Sequence, residues 1–165
     1  MSILGNPLTL ITSGKSFIRA LEASGTLGVY VPLEGGLEGR YQRRLRGAGY
    51  KVLNITARGL GDLSSYLLDV HGVRPPHLGK KNLGREGAVG YRYFVPPVAT
   101  YEAEVLPKGA KGLVIWMLEG HILSRSELEF LVTLPQTDPR IKVVLEMGGD
   151  RQFTWKPLKD ILAAA

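Results

Sequence analysis

Residues 29–81 read VYVPLEGGLEGRYQRRLRGAGYKVLNITARGLGDLSSYLLDVHGVRPPHLGKK. The apolar run at 27–32 predicts a buried strand. Gly35, Gly36 and Gly39 then allow positive-φ backbone ahead of a helix over 37–47. In that helix Leu37, Tyr41, Leu45 and Ala48 recur at helical spacing and form an apolar stripe. Arg40, Arg43, Arg44 and Arg46 cover most of the remaining surface. KVLNIT at 51–56 predicts a second strand. Asp62 is placed to cap a helix reaching about Val70, with Leu63, Tyr66, Leu67 and Val70 inward. Strands alternating with helices point to an α/β fold.

After that helix the pattern breaks. Residues 71–88 hold too many glycines and prolines for a regular element. They carry Arg74, Pro75, Pro76, His77, Lys80, Lys81 and Arg85 against one acid, Glu86. A loop of that length inside a compact domain is uncommon and usually functional. Residues 88–95 and 98–106 alternate around Pro96-Pro97, which predicts two strands joined by a turn or kink, a hairpin-like insertion.

Toward the N-terminus, residues 1–12 are uncharged and read as an arm. Ser13 is an N-cap candidate for a helix over 14–24, with Phe17, Ile18 and Leu21 on one face, and Gly25 stands where a helix-ending glycine belongs. Toward the C-terminus, GLVIWML at 112–118 predicts a central strand. Ser124-Arg125-Ser126-Glu127 fits a capping box opening a helix to Leu134, with Pro135 as its stop. IKVVLEM at 141–147 predicts another strand, and 156–164 a last helix with Pro157 near its first turn. The expectation is one domain over 1–165: a mixed sheet with helices packed on it and a long basic central loop.

The 165 residues bury enough surface, roughly 70% of the unfolded chain's, to fold without a disulfide or metal. There is no cysteine, which excludes disulfides, thiolate zinc sites and cysteine-held iron–sulfur clusters from this chain. A reducing, cytoplasm-like compartment is the default. The net charge of +6 and pI near 9.7 favour an acidic partner: nucleic acid, an anionic surface or an acidic protein. The longest apolar run is far below the ~20 residues of a membrane span, so membrane association is expected only through partners.

Few motifs suggest chemistry. Ser13-Gly14-Lys15-Ser16 looks like the end of a phosphate-binding loop, but Thr9 stands where that motif needs glycine, so a capped helix start is the better reading. Gly35-Gly36-Leu37-Glu38-Gly39 lacks the dinucleotide spacing, and Glu34 and Glu38 would repel phosphate. Of the three histidines, His71, His77 and His121, the first two flank Pro75-Pro76 with no carboxylate pair at ligand spacing beside them, so a metal site is not expected. Glu119, Glu146 and Asp150 lie at or past strand ends, without the partners of a catalytic constellation, and read as strand-end caps.

Residues 32–50 (PLEGGLEGRYQRRLRGAGY), 57–62 (ARGLGD) and 71–81 (HGVRPPHLGKK) closely resemble subunit N of the NAD(P)H–quinone oxidoreductase complex of cyanobacteria and chloroplasts. So do 88–97 (AVGYRYFVPP), 111–124 (KGLVIWMLEGHILS) and 139–158 (PRIKVVLEMGGDRQFTWKPL). The resemblance implies an accessory hydrophilic-arm subunit of a proton-pumping translocase, the photosynthetic relative of complex I. That complex passes electrons from ferredoxin through iron–sulfur clusters to plastoquinone. It serves respiration, cyclic electron flow and inorganic carbon concentration. The resemblance further implies a non-catalytic chain with no cofactor of its own and the clusters in partner subunits. It implies a peripheral place on the cytoplasmic or stromal side of the thylakoid membrane, other subunits as partners and no nucleic acid. Interface candidates are Gly35, Gly36, Arg40, Tyr41, Arg43, Arg44, Arg74, Pro75, Pro76, His77, Lys80 and Lys81. The alternative on charge alone is a free-standing domain that binds nucleic acid or a phosphate ligand.

Overall fold

A computed structural model of the chain describes residues 7–32, 37–58, 63–68, 71–73, 93–95 and 98–164. These fall into two compact units, residues 1–59 with 105–165 and residues 60–104. In the first unit helix α1 (Pro7–Ser24) leads into strand β1 (Thr26–Val31), helix α2 (Leu37–Gly47) and strand β2 (Tyr50–Thr56). The second unit holds helix α3 (Leu63–Leu68), strands β3 (His71–Val73) and β4 (Tyr93–Val95), and helix α4 (Val98–Glu104). The first unit resumes with β5 (Gly112–Leu118), a 3-10 turn (Gly120–Ile122), α5 (Arg125–Thr137), β6 (Ile141–Gly149), β7 (Thr154–Pro157) and α6 (Leu158–Ala164).

The larger sheet runs β2-β5-β6-β1-β7. Its first four strands are parallel, and β7 closes the edge antiparallel to β1. The α/β class with a mixed sheet is therefore as expected. GLVIWML is the interior strand β5, with Leu113 to Met117 wholly buried, as a parallel strand covered on both faces must be.

Alternation along β1 separates the two helical layers. Leu27 and Val29 join Phe17 and Leu21 of α1, Tyr41 and Leu45 of α2, Val114, Trp116, Val144 and Phe153 in one core. Aromatic rings fill it: Tyr41 stacks on Phe153 at 3.9 Å, and Phe17 meets Tyr41 edge-on at 5.1 Å. The intervening Thr26 and Gly28 face α5 and α6. A Cβ on Gly28 would lie 2.4 Å from Cδ1 of Ile161, so the missing side chain makes room for α6.

Several boundaries differ from those expected. α1 begins at Pro7, so residues 7–12 are helix rather than arm, and Ser13 lies inside it. Gly25 ends α1 as expected, at φ 81° with its N–H donating to the Leu21 carbonyl. Residues 71–73 form a strand paired with 93–95, so the region expected to be irregular opens with a β element, and the insertion's hairpin is made from those two segments. Residues 98–104 are helical, not a strand, because Ala99 and Ala103, four apart, are the buried pair. β7 was not expected. The helix start predicted at 156 falls instead on the end of that strand.

Pro135 does not stop α5, which continues to Thr137. Proline there lacks the N–H that would bond the Leu131 carbonyl. Thr26 supplies the donor instead: its hydroxyl donates to Leu131 O at 2.9 Å, in the buried interior. The Pro135 ring sits 2.9 Å from where a Cβ on Gly25 would stand. Gly25-Thr26 thus accommodates the ring and replaces its lost bond. At the other end Ser124 and Glu127 form the expected capping box.

Candidate interaction surface

Helix α2 carries a two-sided sequence. Tyr41 and Leu45 point into the aromatic core, at 4% and 0% exposure. Gln42 exchanges amide hydrogen bonds with Asn54 of β2 at 2.9 and 3.1 Å, which ties a second side of the helix to the sheet. The remaining face holds Arg40, Arg43, Arg44 and Gly47, at positions i, i+3, i+4 and i+7. This face, with Lys15 and Ile18 of α1 and Ala48, lines a groove of about 630 Å³.

The groove is basic by construction. Its lining has four cations and no carboxylate. Arg40 and Arg43 are exposed and Arg44 is half-buried. The Arg44 stem crosses α1 at Gly14, where an added Cβ would come within 3.0 Å of its Cγ. A small residue on α1 therefore seats the arginine stem, and packing holds the guanidinium at the groove. Among the described residues the ion pairs all lie elsewhere: Arg58–Glu119, Lys111–Glu22, Arg125–Glu129 and Arg140–Asp138.

The groove gathers three of the interface candidates, Arg40, Arg43 and Arg44. Tyr41 lies in the core and positions the helix from beneath. Gly35, Gly36, Arg74, Pro75, Pro76, His77, Lys80 and Lys81 lie outside the described residues. Sequence reading missed Lys15 and Ile18, because Ser13-Gly14-Lys15-Ser16 was read as a helix start. The available signal was Gly14, a small residue in a helix interior, where close approach of another element is its usual reason. The phosphate-loop likeness fails on geometry, since all four residues lie within α1.

The carboxylates of Glu119, Glu146 and Asp150 are structural, and Glu146 lies inside β6, which runs on to Gly149, rather than at the strand end expected for it. Glu119 adopts the left-handed conformation, φ 59°, just past β5. It accepts hydrogen bonds from Arg58 at 2.7 Å and from the Thr56 hydroxyl at 3.0 Å, binding the end of β2 to the end of β5. The Arg58 hydrogen bonds, then that of Thr56, hold its carboxyl below the usual range. Glu146 accepts the indole N–H of buried Trp116 at 2.6 Å. Asp150 accepts from the Arg151 N–H at 2.7 Å and the Thr154 hydroxyl at 3.2 Å, shaping the turn into β7. At the opposite sheet edge the Tyr50 hydroxyl donates to Glu22, which also receives Lys111 at 3.1 Å. Burial, then the Glu22 contact, raises the Tyr50 pKa, and the Tyr50 hydroxyl lowers that of Glu22. Among the described residues no three His, Asp or Glu side chains gather as metal ligands. No described helix is long and apolar enough to cross a membrane.

The chain is 67% identical over 158 residues to the NAD(P)H-quinone oxidoreductase subunit N of Gloeothece citriformis, covering 96% of this chain and all of the relative. The subunit N of Crocosphaera subtropica is 65% identical over the same share of both chains. That of Trichodesmium erythraeum is 61% identical, again across 96% of this chain and the whole relative. The family model described as NADH-quinone oxidoreductase cyanobacterial subunit N matches residues 8–160, and the chain belongs to that family.

Proposed function

We propose that this chain is an accessory subunit of the hydrophilic arm of an NAD(P)H/ferredoxin–plastoquinone oxidoreductase, and that it supports the arm's assembly and stability. The reading rests on one observation: 67% and 65% identity, across 96% of this chain, to proteins named NAD(P)H-quinone oxidoreductase subunit N. The carboxylates fit a non-catalytic role, because Glu119, Glu146 and Asp150 are each engaged in holding strands or turns together. In this reading the chain carries no cofactor, and the iron–sulfur clusters that feed plastoquinone belong to partner subunits. It sits peripherally at the thylakoid membrane, on the cytoplasmic or stromal side, held there by those partners.

Deletion of the chain tests this. The expected result is loss of the hydrophilic arm from the purified complex, with plastoquinone reduction falling in proportion. A fully assembled complex that has lost one electron-transfer step would overturn it.

A further inference from the structure

We propose that the groove between α1 and α2 is the seat for an acidic segment of a partner subunit, with its carboxylates on Arg40, Arg43 and Arg44 and an apolar side chain over Ile18 and Ala48. The proposal rests on the subunit reading above and adds the surface and the chemistry of what it receives.

Three features of the groove lead there. First, Arg40 and Arg44 stand one helical turn apart, Arg43 lies beside them and Lys15 faces them from α1. Like charges at that spacing repel and weaken the helix. No carboxylate among the described residues offsets them, whereas four other cations of this unit are paired. An acidic occupant removes the repulsion.

Second, the groove is amphipathic. Ile18 and Ala48 sit among the cations, and Gly47 leaves the rim open. A bare phosphate would satisfy the charge and leave that apolar surface wet. A peptide carrying carboxylates around one apolar side chain matches both parts. Third, the charges are mostly guanidinium. Its planar fork takes a carboxylate through two parallel hydrogen bonds, so fixed arginines select direction as well as charge. The Arg44 stem, packed across Gly14, is already held in place, which lowers the ordering cost of binding.

The test uses the complex purified from cells whose only copy of the chain is a variant. R40E/R43E/R44E should lower the amount of chain in the complex at least about tenfold, because each reversed charge meets a carboxylate. R40K/R43K/R44K, which keeps charge and loses the fork, should fall between this and wild type. The melting temperature of the purified R40E/R43E/R44E chain should stay within about 4 °C of wild type. Normal incorporation of the charge-reversed chain overturns the proposal; if deletion still removes the arm, the subunit reading stands without it.

Should the reversed chain fail to fold, a photo-crosslinking residue at Gly47 carries the test. That position is exposed, and a Cβ there meets nothing within 4 Å. Irradiation of the assembled complex should join it to a protein stretch holding at least two Asp or Glu. Cross-linking to nucleic acid, to lipid, to a stretch without acids, or to nothing overturns the assignment.

Discussion

Helices α1 and α2 on one face of the sheet, and α5 and α6 on the other, both bury apolar stripes, but they meet solvent differently. The α5–α6 side satisfies itself locally. Ser124 and Glu127 cap its first turn, Arg125 pairs with Glu129 along the helix, and Asp138 holds Arg140 at its end. The α1–α2 side packs aromatic rings beneath and leaves arginines above without carboxylates. The difference separates what holds the fold from what is left over for a partner. Aromatic burial and the Gln42–Asn54 pair hold α2 from beneath, which leaves the exposed charges of Arg40 and Arg43 for a partner.

The sharpest way to break this comparison is to remove its foundation. Phe17 meets Tyr41, Trp116, Phe153 and Trp155. Phe17→Ala is expected to cost about 3–5 kcal/mol in chemical denaturation, a large share of a typical domain's stability. A loss below about 1 kcal/mol would mean that the rings are not what anchors α1 and α2.

On the other face the instructive pair is Thr26 and Pro135. Thr26→Val leaves the buried Leu131 carbonyl without a donor and is expected to cost about 1–3 kcal/mol. Pro135→Ala returns an N–H to the helix ladder. In that background Thr26→Val should cost clearly less, and the coupling appears in a double-mutant cycle. Strict additivity of the two changes would show that the threonine does not stand in for the missing helix bond.

The smallest expected effect lies in acid. The Arg140 hydrogen bond holds the Asp138 carboxyl below its ordinary value of 3.8. A carboxylate lowered in the folded state stabilises fully above its unfolded pKa and loses that contribution as pH falls through the folded one. Asp138→Asn should therefore lower stability slightly at neutral pH, where the carboxylate contributes, and converge with wild type well below 3.8, which flattens that part of the acid limb. The R40A/R43A/R44A variant should leave the acid limb as in wild type, since no described carboxylate partners those arginines. A changed limb there would reveal a carboxylate paired with them.

Much of this architecture is written locally. The segments at 27–32, 51–56 and 112–118 are short, carry Val or Ile, and are bounded by glycines or prolines or polar residues, which favours strands over helices. Gly25 and the Ser124–Glu127 box mark helix ends by their own chemistry. What is not local could not be read. Thr154–Pro157 is four residues long and becomes a strand only because β1 lies beside it. Val98–Glu104 contains β-branched and aromatic residues that suit a strand, and the burial of Ala99 and Ala103 decides for helix. Pro135 reads as a stop signal unless one knows that Thr26, 105 positions before Leu131, supplies the donor that the Leu131 carbonyl lost. Likewise Arg40, Arg43 and Arg44 are visible on the helix, but Lys15 joins them only through the packing of α1 on α2.

The position of β1 has a consequence for synthesis. It is the first made of the described strands, yet its neighbours in the sheet are β6 and β7, whose residues begin at Ile141 and Thr154. The sheet therefore cannot close while the ribosome is still translating the middle of the chain. Until then the Phe17 and Val29 faces have no β6 or β7 to pack beside, and the α2 arginines emerge early, close to a strongly anionic ribosomal RNA surface. Pairings this distant in sequence close slowly and leave apolar strands open to aggregation. The nascent chain is thus most vulnerable between the appearance of β1 and the release of β7.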